Sequence, residues 1–213
     1  THLGHSFPTR RSSDLILGYP VAGGSINDTL LDCVLFDHIM IESKQKTNID
    51  NYSNLIQLLD SADIKVEVPF DMIEWIWVHM ATNSGVITTA SKYGDMSDIA
   101  QSARNIMSSA SGLSEAVLTI REAVKVVKAR GVVLNHYNNE LIAYRIPSKL
   151  AGMIMKQMFK TNELTRRIME LHCNMEDLIY VCKSVYDSGK ELGVKTPLLC
   201  EKYEKYIINL HTK

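Results

Sequence analysis

The stretch Pro69-Phe70-Asp71-Met72-Ile73-Glu74-Trp75-Ile76-Trp77-Val78-His79-Met80-Ala81-Thr82-Asn83-Ser84 decides how the chain reads. Asp71 followed three residues later by Glu74 marks a helix start, with the Asp71 carboxylate accepting from an early backbone N–H. Beyond it, apolar residues fall on every face of the expected helix, which predicts a buried helix. Asp71, Glu74 and His79 interrupt it too often for a membrane span. His79 and Asn83 stand four apart and therefore share one helix face. Buried polar groups need partners, so this pair is either a satisfied structural network or a site.

Composition sets the class. The chain has 213 residues, 46% hydrophobic and 22% charged, with a net charge of -1. These are the proportions of a globular protein. The near-neutral balance argues against nucleic acid or an anionic membrane as partner. The four cysteines, Cys33, Cys173, Cys182 and Cys200, form no C-x-x-C pair and read as reduced thiols of a cytoplasmic protein. His38, His136, His172 and His211 lack ligand spacing, so no metal is expected.

Working outward toward the N-terminus, residues 64–68 alternate with period two and predict a strand. Residues 51–60 carry Tyr52, Leu55, Ile56, Leu58 and Leu59 at helical spacing. Residues 33–41 read as another strand. Val21-Ala22-Gly23-Gly24-Ser25 reads as a loop, either a plain turn or a place where a ligand approaches the backbone closely. The first residues hold no hydrophobic period. His5 to Leu15 resembles the translation of a DNA-sequencing adapter, the alternative being a disordered basic tail, and residues 1–15 are set aside as non-native.

Toward the C-terminus the chain is helical. Residues 113–129 form an amphipathic helix closed by Gly131. A short helical piece covers 138–146. Pro147 opens a helix rich in methionine, read as core or subunit-interface filler. Residues 163–172 follow, Asn174 caps a helix ending at Gly193, and Thr196-Pro197 opens the last one.

Four features in this order resemble the ketopantoate reductase family. They are Leu17-Gly18-Tyr19-Pro20 with Ala22-Gly23-Gly24, followed by a strand and Lys46-Thr47-Asn48-Ile49; Leu55 to Val66 leading into Asp71-Met72; Trp77-Val78-His79-Met80-Ala81-Thr82-Asn83; and Gly189, Leu192-Gly193-Val194 and Thr196-Pro197. The resemblance implies a mainly α fold: a multi-helical substrate and dimerisation domain (69–213) behind the α/β tail of a Rossmann-type NADP-binding domain (16–68). It implies NADPH as cofactor, a small 2-keto acid as substrate and a homodimer formed through the helical domain. The Gly-rich dinucleotide fingerprint is absent from this sequence, so the chain alone is expected to be inactive.

By the same resemblance, His79 stands where pantoate-pathway enzymes carry a lysine, and becomes the proton donor to the ketone oxygen. An ordinary imidazole titrates near neutral pH and suits that task. Asn83 matches a substrate-side asparagine, while a second one is replaced by Ile87. Asp177, with Glu176 beside it, matches the family's late acid, and Thr165 its serine. Gly23 and Gly24 are the cofactor-side candidates. Two other readings stay open: His79 and Asn83 as a hydrogen-bonded core pair, and Asp177 as a carboxylate serving a helix dipole. The rival function is a non-catalytic helical module that dimerises through its Met-rich helix.

Overall fold

The computed structural model describes residues 15–47, 49–172 and 174–208. All of the adapter-like segment but Leu15, together with Asn48, Cys173 and His211, lies outside them. The fold is mostly helical with a small three-stranded sheet near the N-terminus, as expected of a helical domain behind the tail of a Rossmann-type domain. Contacts divide the chain into two units. Among the described residues, one holds those up to Ala22 and from Leu35 to Trp75; the other holds Gly23–Val34 and those from Ile76 onward.

The sheet corrects one expectation. Residues 21–25 are not a loop but the middle of strand β1 (Gly18–Asn27). Two residues, among them Asp28 with φ 54°, turn the chain into β2 (Leu30–Ile41). Glycines and a proline resemble loop composition, yet here Gly24 lets two strands approach. A Cβ on it would lie 2.8 Å from Cys33 Cβ and 2.9 Å from the Asp32 carbonyl oxygen. β3 (Lys65–Glu67) pairs parallel to β2, with Ile39 opposite Val66. A parallel pair needs a crossover, and helix α1 (Tyr52–Ser61) supplies it. In this unit Met40, Ile41, Tyr52 and Trp75 are buried, and Tyr19 meets Trp75 edge-on at 5.3 Å.

Helix α2 (Met72–Tyr93) starts as the sequence predicts: the Glu74 N–H donates to Asp71 Oδ1 at 2.9 Å. It is not buried all round, because Ile73 is 42% exposed. Ala81, Ser84, Thr88 and Thr89 are fully buried, and the small residues allow close helix packing. α3 (Ile99–Ser108) and α4 (Ala110–Ala129) follow. α4 is the axis of its unit: Ala116, Val117, Ile120, Ala123, Val126 and Val127 are wholly buried. Gly85 on α2 and the glycine of the Met-rich helix, Gly152, face it where a side chain would collide, with Cβ positions 2.5 Å from Ile120 Cγ1 and 2.3 Å from Ser114 Oγ.

The piece expected over 138–146 is broken into the one-turn α5 (Asn138–Leu141) between tight 3₁₀ turns. Arg121 fixes it from α4 by donating to the Tyr144 and Ile146 carbonyls. Pro147 precedes rather than begins α6 (Ser148–Thr161). α7 (Glu163–Leu171) and α8 (Met175–Glu191) are capped by Asn162 and Asn174. α9 (Pro197–Lys202) has proline at its first turn and continues into a π-helical turn, Tyr203–Ile207. No helix among the described residues is long and apolar enough to cross a membrane.

Candidate functional site

His79 sits in the middle of α2, most of its surface covered, one turn before the half-buried Asn83. Burial, with a smaller contribution from the positive potential of His172, pushes the imidazole down from its ordinary 6.5 to about 4. An imidazole withdrawn from water loses more hydration as a cation than as a neutral ring. At neutral pH, His79 is therefore a neutral ring with one N–H donor and one acceptor, not the group titrating near pH 7 that sequence reasoning expects.

His172 terminates α7, where its Nδ1 lies 2.8 Å from the Ile168 carbonyl oxygen. Gly23 passes beside it: a Cβ there would come within 2.8 Å of Ile168 Cγ1 and 3.1 Å of His172 Cε1. An ion pair between Asp32 and Arg167 ties the outer part of the hairpin to the same helix. His79, His172 and Gly23 thus belong to one neighbourhood, which sequence spacing does not reveal.

The two glycines do not fit a pyrophosphate. Neither lies in a phosphate-gripping turn ahead of a helix; both lie in β1, and protein atoms occupy the space beside them. Glu176 and Asp177 are exposed in the first turn of α8, where carboxylates complement the helix dipole. Thr165 is half-buried in the first turn of α7, its backbone N–H donating to Asn162 Oδ1 at 3.0 Å. Ile87 packs against the core cluster Ile179, Cys182, Tyr203 and Ile207. Its apolar side chain is explained by that packing.

The sequence reading misses a buried polar network deeper in the helices. Lys202, only 2% exposed, donates to Thr89 Oγ1 at 2.9 Å and Thr119 Oγ1 at 2.6 Å, and pairs with Glu115 at 3.0 Å. Burial lowers its ammonium pKa against the raising effect of Glu115. Burial works to raise the Glu115 carboxyl, but hydrogen bonds from Lys92 and Lys202 outweigh it and hold the group below its ordinary value. Nearby, Glu122 Oε2 accepts from the Leu199 N–H at 3.1 Å and so caps α9. Trp77 is held by Arg130, whose guanidinium stacks 3.6 Å from the ring and donates to Ser188 at 2.7 Å. That stack fixes the helix face two residues before His79.

The chain matches no family model and no curated protein. Among solved structures it is similar to a dimeric ketopantoate reductase from Staphylococcus aureus, with a TM-score of 0.56 and 11% sequence identity. The fold resembles part of that ketopantoate reductase. The match covers 92% of this chain and 62% of that one, so the chain spans less than two thirds of the enzyme it resembles.

Proposed function

We propose that the chain is the substrate-side portion of an NADPH-dependent reductase that converts a 2-keto acid to a 2-hydroxy acid. The observation that carries this reading is a covered, neutral His79 one turn from Asn83, in a fold shared with a ketopantoate reductase. Reduction of a ketone places negative charge on its oxygen, and a fixed N–H donor lowers the barrier. A 2-keto acid also brings a carboxylate. An anion within about 4–6 Å favours the imidazolium, so substrate binding itself raises the affinity of His79 for a proton. His79 then supplies that proton to the oxygen, and Asn83 holds the substrate's carboxylate or hydroxyl. No described residue is assigned to NADPH, and the sequence contains no G-x-G-x-x-G. Asp177, Glu176 and Thr165 are given no role in the chemistry, since exposure and helix-start positions account for the carboxylates.

The test compares the complete gene product with the 213-residue chain in NADPH oxidation across a panel of 2-keto acids. The complete protein is expected to turn over, the chain alone not. His79→Ala should lower kcat by about 100-fold or more with folding intact; unchanged activity would remove His79 from the mechanism.

A second reading has its own observation. Leu150, Met153, Ile154 and Met158, on one side of α6, are 44, 55, 52 and 39% exposed. Such a stripe supports a homodimer through the helical domain, either within the enzyme or as the whole function of a non-catalytic module. Leu150→Glu with Ile154→Glu should make the protein monomeric by sedimentation if the stripe is that interface.

A further inference from the structure

We infer that the cleft between α3, α6 and α7 binds a small organic anion with an apolar body. The cleft measures about 430 Å³, within the range of small-molecule pockets. Its wall is apolar, made of the edges that the buried Met107 and Phe159 present and of the aliphatic stems of the arginines and lysines around them. Around it stand four cations, Arg104, Lys156, Lys160 and Arg166, against one carboxylate, Glu170. The protein as a whole carries a net charge of -1, so this concentration of positive charge is local.

The charges differ in their freedom. Arg104 is engaged by Glu170 at 3.5 Å and by Gln101 at 3.0 Å. Arg166 donates to the Phe159 carbonyl at 3.2 Å, which pins its guanidinium at the end of α6. Lys156 and Lys160, one turn apart on α6, are exposed and form no ion pair among the described residues. Cations gathered over an apolar wall focus the field into the cleft and raise the local concentration of anions. An inorganic anion would leave the aliphatic stems that line the cleft uncovered, and a neutral apolar molecule would forgo the attraction of the cations around it. A carboxylate, sulfonate or phosphate ester joined to an aromatic or alkyl body satisfies both. This site is independent of His79 and of the proposed reductase activity.

The probe is 1-anilinonaphthalene-8-sulfonate, titrated by fluorescence into the intact chain, with neutral N-phenyl-1-naphthylamine as its uncharged counterpart. Saturable binding is expected, with decanoate displacing the dye and inorganic phosphate failing to do so. The double variant Lys156→Glu/Lys160→Glu, at exposed positions and checked for helicity by circular dichroism, should weaken sulfonate binding about tenfold or more. It should change binding of the neutral dye less than about twofold. Retained sulfonate affinity in the variant, equal losses for both dyes, or displacement by inorganic phosphate alone would each overturn the assignment.

Discussion

Acidification should destabilise this protein through one side chain. In the unfolded chain His79 titrates at its ordinary 6.5; in the folded protein it does so near 4. Between those values the unfolded state binds more protons, so stability falls as pH falls. The contribution is fully present above 6.5 and lost progressively down to about 4. A difference of about 2.5 units corresponds to roughly 3 kcal/mol in total, of which about 2 kcal/mol is gone by about pH 5. That is a large fraction of a typical net stability. The assay is urea unfolding followed by the fluorescence of Trp75 and Trp77, at about pH 7.5 and about pH 5, for the wild type and His79→Gln. Contributions of other titrating groups cancel in the difference between the two proteins. The wild type should lose about 2 kcal/mol more than the variant on acidification. Parallel losses in the two proteins would refute the burial of a neutral imidazole at this position.

Other perturbations have equally direct readouts. Gly85→Ala places a methyl 2.5 Å from Ile120 Cγ1 and 2.7 Å from its backbone nitrogen, and should cost about 3 kcal/mol by urea unfolding, at the upper end for overpacking. Gly131→Ala meets no atom within 4 Å but must adopt φ +95°, and should cost only about 1 kcal/mol. Lys202→Ala removes one partner of a buried pair and should cost about 3 kcal/mol, measured by chemical denaturation; a loss below about 0.5 kcal/mol would mean that the ammonium is solvated.

The helical part of the fold was legible because its signals are local. Asp71 and Glu74 announce α2, Asn174 caps α8, Thr196-Pro197 opens α9, and Gly131 and Gly193 close helices with positive φ. β1 was hidden because its evidence is a distant one: Gly23 and Gly24 read as loop residues until Cys33 and His172 are seen packed against them. At the site, the spacing of His79 and Asn83 was visible, whereas the depressed pKa was not, since burial depends on packing between residues far apart in sequence. His172 carries no spacing signal toward His79. Lys202 lies in Glu201-Lys202-Tyr203-Glu204-Lys205, which has the look of a solvated helix face, and only the fold reveals that it is enclosed by Thr89, Glu115 and Thr119.

The most direct test of the central claim is an NMR titration of the His79 imidazole, without ligand and with a saturating simple 2-hydroxy acid such as 2-hydroxyisovalerate. The ring should titrate near 4 in the free protein and rise by about one unit or more when the carboxylate binds. Asn83→Ala should abolish that rise. The same titration curve with and without the acid would contradict a substrate-side role for His79.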